Sequence, residues 1–260
     1  MPDDALTVAG LGVRFGGVHA LQDVSIAIEA GSVHGLLGPN GSGKTTLLNA
    51  VCGFVHAQGD VRLFGEPLTH RPAHDRARRG LRRTFQNPKL VQHLTVMELL
   101  RMGEHSRHVR AWWRVALLPP QDRRARIQSE LRAEGTLELL GMEKGLLGVP
   151  VHELSQGMLK MVDIARALIA DPRVLLLDEP SSGMSEEEIV GLRTRLSALA
   201  GIGTTLVLVE HNLGLIRAVC EQVSVLNLGV LVASGSTEDI LARPDVADAF
   251  LGTNREVSAA

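Results

Sequence analysis

At 260 residues, 45% hydrophobic and with a net charge of −2, the chain suits one α/β domain and carries no global field toward nucleic acid or anionic lipid. No apolar run approaches the ~20 residues of a membrane span, and the acidic start Met1-Pro-Asp-Asp4 lacks the apolar stretch of a signal peptide. Cys52 and Cys220 sit in apolar surroundings without metal-ligand spacing, which predicts buried free thiols in a reducing compartment.

Residues 5–9 and 24–29 read as strands. Phe15 lies between them beside two glycines. As one of five phenylalanines in a chain without tyrosine, it suits either stacking on a base or filling the core. Val33 to Leu37 then predicts a short buried strand. Gly38-Pro39-Asn40-Gly41-Ser42-Gly43-Lys44-Thr45 fits G-x-x-x-x-G-K-[ST] at every fixed position, and from Thr46 to Cys52 the pattern turns helical. A strand, a glycine-rich loop and a helix in that order form a phosphate cradle. The glycines let backbone N–H groups face inward, and the helix adds its positive end. Lys44 is placed to reach the β- and γ-phosphates and the Thr45 hydroxyl to ligate Mg²⁺. The chain is expected to bind a nucleoside triphosphate.

Asp60 to Phe64 predicts a strand, followed by a turn at Gly65-Glu-Pro67 and a basic helix over 73–80. Leu81 to Phe85 reads as a strand delivering Gln86 to the sheet's carboxyl edge, where ligands of open α/β sheets bind. Helices follow over 95–103 and 122–141, with Ile127, Leu131, Leu137 and Leu140 as apolar positions. Trp112 and Trp113 between them read as core or as a partner patch flanked by arginines, and the Arg-rich helix faces as solvated surface. Ser155 is a good N-cap for a helix running through Leu168. The apolar run Val174 to Leu177 then brings Asp178 and Glu179 to a strand's end. The first carboxylate suits a Mg²⁺ site and the second can polarise an attacking water. A helix over 186–200 and a strand over 204–209 lead to His211, again at a strand end, within reach of a γ-phosphate. Strand pattern over 222–234 and helices over 237–242 and 244–251 close the chain.

Taken together, these motifs resemble the nucleotide-binding subunit of ABC transporters over nearly the whole chain. The family's order is reproduced: aromatic A-loop (Phe15), Walker A (Gly38 to Thr45), Q-loop (Gln86), signature (Leu154 to Met158), Walker B (Asp178, Glu179), D-loop (Ser181 to Ser185) and H-loop (His211). The resemblance implies a RecA-like P-loop core with an antiparallel β-subdomain and an inserted α-helical subdomain. Residues 1–86 would hold the ATP-binding core and β-subdomain, 87–157 the helical subdomain, and 158–260 the rest of the core. It implies ATP and Mg²⁺ as cofactors. Phe15 would stack on adenine, and Gly38 to Thr46 would bind the phosphates. Thr45, Asp178 and Gln86 would serve the metal, with Glu179 as general base and His211 on the γ-phosphate. Gln86 would also couple the site to the membrane partner. Ser155 and Gly157 would complete the site of a second ATPase subunit in a head-to-tail homo- or heterodimer.

Arg83-Thr-Phe-Gln-Asn87, Val209-Glu-His-Asn212 and Pro244-Asp-Val-Ala-Asp-Ala-Phe-Leu-Gly252 look most like the ATPases of branched-chain amino-acid importers. That likeness implies transmembrane permease subunits, an extracytoplasmic solute-binding protein and a place on the cytoplasmic face of the membrane. The ATPase of lipopolysaccharide export is similar in length and C-terminal pattern. A soluble ABC-type ATPase acting on nucleic acid is a further alternative. It is disfavoured because no heptad run fills the stretch between Gln86 and Leu154, and no direct nucleic-acid partner is expected. A regulatory subunit that binds ATP without turnover is disfavoured by the presence of Glu179 and His211. Two positions depart from the family pattern. Met158 replaces the signature glutamine, which removes a Ser-x-x-Gln capping box and predicts a weakened composite site. Ser185 replaces the usual Asp or Asn of the D-loop.

Overall fold

The computed structural model describes residues 4–84, 93–105, 123–244 and 246. Its core is a six-stranded sheet in the order β10-β9-β3-β8-β7-β6. These strands are β3 (Val33–Leu37), β6 (Leu81–Arg83), β7 (Val174–Asp178), β8 (Thr205–Val209), β9 (Gln222–Asn227) and β10 (Val230–Ser236). All neighbours pair in parallel except β9 and β10, which form an antiparallel hairpin. A four-stranded antiparallel sheet, β2-β1-β4-β5, is built from β1 (Asp4–Phe15), β2 (Val18–Glu29), β4 (Gln58–Leu63) and β5 (Glu66–Pro67).

Parallel strands covered on both faces carry continuous apolar runs, and β7 and β8 do. Their alternate residues feed two separate cores. Leu175, Leu177, Leu206 and Leu208 pack with the helices on one face. Val174, Leu176, Val207 and Val209 pack with the P-loop helix and the antiparallel sheet on the other. Both clusters end at the carboxyl edge of the strands. The first polar residues past that edge are thereby fixed by buried backbone on both sides.

The helices are α1 (Lys44–Cys52), α2 (Ala73–Arg78), α3 (Val96–His105), α4 (Arg123–Leu139), α5 (Gln156–Leu168), α6 (Glu186–Gly201), α7 (Leu213–Val219) and α8 (Thr237–Leu241). Three sequence expectations change, and one helix is unannounced by the sequence. Strands β1 and β2 run far beyond residues 5–9 and 24–29 to meet in a hairpin at Gly16-Gly17, so Phe15 ends a strand. In α4 the buried stripe is Ser129, Ala133 and Leu137, continued by Leu140 just past its end, whereas Ile127 and Leu131 are exposed on the opposite side. Helix α7 has little sequence signal beyond Asn212, whose side chain accepts the Leu215 N–H at 3.0 Å. Arg76 is buried rather than solvated: its guanidinium donates to the Ala50 and Val51 carbonyls at the end of α1, and to those of Thr69 and Arg71. The 244–251 helix and the Trp112-Trp113 pair fall outside the described residues, apart from Pro244 and Val246. Both cysteines are buried free thiols.

Candidate functional site

The loop between β3 and α1 is shaped by its glycines. Gly38 has φ +147°, and a Cβ there would run into the Leu226 carbonyl and the Ser42 hydroxyl. Gly43 has φ +104°, and its Cβ would lie 2.9 Å from the Ala20 carbonyl. The loop is packed against β2 and the β9–β10 turn too closely for any side chain. That turn, Leu228-Gly229, has positive φ at both residues, as a two-residue hairpin requires. Gly229 donates to the Ser42 carbonyl at 2.9 Å and accepts from the Gln22 N–H at 2.8 Å.

Helix α1 starts at Gly43 with no side chain capping its N-terminus, so its first turn faces a cleft of about 460 Å³. The cleft is lined by residues 40–46, by Val18, His19 and Ala20 of β2, by the β9–β10 turn and by Glu179. Lys44 folds back over the loop and donates to the carbonyls of Gly38 at 2.7 Å and Pro39 at 2.9 Å. Burial lowers the pKa of its ammonium, while Glu179 and Asp178 act in the opposite direction. The Thr45 side chain is exposed toward solvent. Phe15 is 53% exposed, which excludes core filling; its strand partner Val18 lines the cleft.

Asp178 ends β7 with a fully buried side chain. Its Oδ2 pairs with the Arg83 guanidinium at 2.7 Å, and Arg83 reaches Asn49 of α1 at 2.5 Å. Its Oδ1 has no hydrogen-bond partner, and neither has the buried Ser42 hydroxyl. Unpaired buried polar atoms are costly unless something not in the chain satisfies them. The unpaired Ser42 hydroxyl and the bare helix N-terminus at the cleft fit a phosphate chain, and the unpaired Asp178 oxygen, near enough to Lys44 to act on its ammonium, fits a cation beside it. Among the described residues no group of three or more His, Cys, Asp or Glu could hold a metal alone. Mg²⁺ bound with nucleotide phosphates needs only one or two protein oxygens.

Glu179 adopts the left-handed conformation, φ +49°, unusual for a residue with a Cβ. Its Oε1 lies 3.1 Å from His211 Nε2. The strand ends thus bring Lys44, Asp178, Glu179 and His211 together. Ser155 and Gly157 are not among the cleft's lining residues; they stand at the N-terminus of α5, where Ser155 accepts the Met158 N–H at 3.2 Å. The cap therefore survives the loss of the glutamine. Ser185 caps α6 with a complete box: Glu188 Oε2 accepts the Ser185 N–H at 2.8 Å, and Ser185 Oγ accepts the Glu188 N–H at 3.3 Å. A Cβ on Gly157 would strike that same Glu188 carboxylate. Gln86 lies outside the described residues. Sequence reasoning gave no role to Arg83 or Glu210, because Asp178 and Ser181 are remote in the chain and only the folded sheet edge brings them together. It also missed Glu188, although the Ser185-x-x-Glu188 spacing is the local signal of a capping box.

Comparison with known proteins agrees with this geometry. The ABC transporter family model matches residues 21–182. The branched-chain amino acid transport ATP-binding protein BraF of Pseudomonas aeruginosa is 34% identical over 250 residues, covering 95% of this chain and 97% of that protein. The branched-chain amino acid transport ATP-binding protein LivG of Salmonella typhimurium is 34% identical over 97% of this chain and 99% of its own length. The lipopolysaccharide export ATP-binding protein LptB of Escherichia coli K12 is 32% identical over 95% of this chain and 97% of its own. The ADP conformation of MJ1267, an ATP-binding cassette of an ABC transporter, superposes with TM-score 0.82 at 29% identity, covering 96% of this chain and 99% of that one.

Proposed function

The chain belongs to the ABC transporter family as an ATP-hydrolysing subunit, and we propose that the work it powers is import of branched-chain or other amino acids. Similarity to BraF and LivG over almost the full length of all three chains carries the reading. No helix among the described residues is long and apolar enough to cross a membrane. Transport then requires separate permease subunits, with this chain peripheral on their cytoplasmic side and a solute-binding protein on the other.

In the site, Phe15 stacks on adenine, half-exposed beside the cleft as stacking requires. The loop from Gly38 to Thr46 holds the phosphates, and Lys44 exchanges the Gly38 and Pro39 carbonyls for phosphate oxygens. Thr45, Asp178 and Gln86 would hold Mg²⁺, which would supply positive charge against the phosphate oxygens. Glu179 takes a proton from the water that attacks the γ-phosphorus while the bond to the β–γ bridging oxygen breaks. His211, 3.1 Å from Glu179, holds the attacking water and the γ-phosphate between two fixed groups. Ser155 and Gly157 do not line their own cleft and serve the γ-phosphate bound by a second subunit. That subunit is a different ATPase chain, because the signature here lacks its glutamine and an asymmetric pair tolerates one weakened site.

Glu179→Gln tests the hydrolytic half of the reading. ATP binding should persist and hydrolysis cease, and unaltered hydrolysis overturns the base. Cells lacking the gene test the transport half. Leucine uptake should fall and be restored by the wild-type chain but not by Glu179→Gln; unchanged uptake overturns the substrate class. Comparing ATPase rates of the chain alone, Met158→Gln and the chain with its partner tests the asymmetry. Full activity alone, with no gain from either, refutes it.

A further inference from the structure

Glu210 is the first residue past β8, and it is 2% exposed. Its two oxygens are divided between two loops. Oε1 accepts the Ser181 N–H at 2.7 Å, just past the end of β7, and Oε2 accepts the His211 N–H at 3.1 Å and the Asn212 N–H at 3.5 Å. The carboxylate is carried by main-chain N–H groups. Such charge-assisted bonds are short and directional, and here they clamp the backbone of both loops.

The clamp surrounds one pair of side chains. Glu179 lies two residues before Ser181, its N–H bonded to the Val209 carbonyl at 2.9 Å. The Glu179 carbonyl accepts the Ser182 N–H at 3.2 Å and Lys160 Nζ at 3.2 Å. This carbonyl holds the left-handed turn at Glu179 in place. A β-carbon in that region is strained and persists only where surrounding contacts over-determine it. Across the gap, His211 meets Glu179 at 3.1 Å. Both residues of the pair hang from backbone that Glu210 fixes, one on each side.

We propose that Glu210 is a positioning residue for hydrolysis: its carboxylate ties the loop after β7 to the loop after β8 and so sets the Glu179–His211 separation. This rests on the reading of Glu179 and His211 given above. Glu210→Gln keeps the shape but leaves one acceptor oxygen where two are needed. The amide –NH₂ then faces a backbone N–H of one loop or the other, donor against donor.

The test compares the full-length wild type with Glu210→Gln and Glu210→Asp, by steady-state ATP hydrolysis and by amide hydrogen exchange. In Glu210→Gln, kcat should fall about tenfold or more, as loss of one charge-assisted bond at the site implies. The KM for ATP should stay within about twofold, since the phosphate loop is untouched. Exchange should quicken at residues 181–184 and 211–213 while β3, β7 and β8 keep their protection. Glu210→Asp keeps the charge but is one methylene short of reaching both loops, so its kcat should fall between the other two. A Glu210→Gln kcat within about twofold of wild type overturns the proposal. So does exchange that rises across the whole sheet with KM and kcat failing together, which marks a merely structural residue. A wild type that hydrolyses no ATP, alone or with its partner, overturns the reading of Glu179 and His211 instead, and the positioning role falls with it.

Discussion

Replacing Arg83 with methionine tests how the sheet edge holds the buried Asp178 carboxylate. Arg83 is the last residue of β6 and its side chain is 9% exposed, against 0% for Asp178. It pairs with Asp178 at 2.7 Å and with Asn49 at 2.5 Å, so one guanidinium joins strand β6, strand β7 and helix α1. Methionine roughly keeps the volume and removes the charge, which leaves Asp178 buried beside its already unpaired Oδ1. Breaking a buried pair by removing one partner costs about 3–5 kcal/mol, because the remaining charge is uncompensated. Urea unfolding of the nucleotide-free, Mg²⁺-free chain should show a loss of that size. The coupling is checked in the Asp178→Asn background. No charge remains to be stranded there, and Arg83→Met should cost only about 1 kcal/mol for the Asn49 bond. If the first variant does not fold, Arg83→Lys, which can keep one of the two contacts, carries the same comparison. A loss below about 1 kcal/mol in the wild-type background, or equal losses in both, refutes the reasoning.

His34 is the second residue of β3, bonded at 2.9 Å to Ser224, and burial lowers its pKa from 6.5 to about 4. The unfolded chain therefore takes up this proton at a higher pH than the folded chain does. The stability His34 confers is complete above about pH 6.5 and is lost as pH falls toward 4. It amounts to about 3 kcal/mol, so a His34→Gln variant should show that much less loss of unfolding free energy between pH 7 and pH 4. Burial pushes the Cys52 thiol up to about 11 and the Cys220 thiol up to about 12. A thiol reagent should label neither cysteine in the native protein and both in denaturant; rapid labelling of the folded chain contradicts this. Gly157→Ala should displace the Glu188 carboxylate and break the Ser185 capping box, costing about 0.5–2 kcal/mol. Removing the carboxylate with Glu188→Ala should make Gly157→Ala nearly neutral, and an undiminished penalty in that background would show the clash is elsewhere.

The parts legible in the sequence share one property: their signal is local. A glycine whose Cβ would meet backbone, an apolar run covered on both faces, and a serine capping the next turn all follow from a few adjacent residues. Gly38 to Thr45, Val174 to Asp178 and Ser155 are such cases. Phe15 was only half legible, because the glycines mark a turn but not which side of a hairpin stays open. Ile127 and Leu131 misled because a helix can hold apolar residues on two faces, and only packing selects Ala133, Leu137 and Leu140.

What the sequence hides is the wiring between elements. Arg83 meets Asp178 across 95 positions, and Glu210 meets Ser181 across 29. Neither spacing has a period or a motif. Both contacts follow once β6, β7 and β8 lie side by side in parallel, because each strand then ends at the same edge and its next residue has only its neighbours' ends to bind. The same geometry brings Asp178, Glu179 and His211 to one edge of the sheet, with Glu179 in the cleft wall and His211 3.1 Å from it. Within this chain Ser155 and Gly157, at the N-terminus of α5, are not among the residues that line the cleft of the phosphate loop. In the proposed dimer the groups that close that cleft over a γ-phosphate come from the second subunit. The site that Met158 would weaken is therefore the partner's, and the site built on Lys44 and Glu179 would be as strong as the partner's signature makes it.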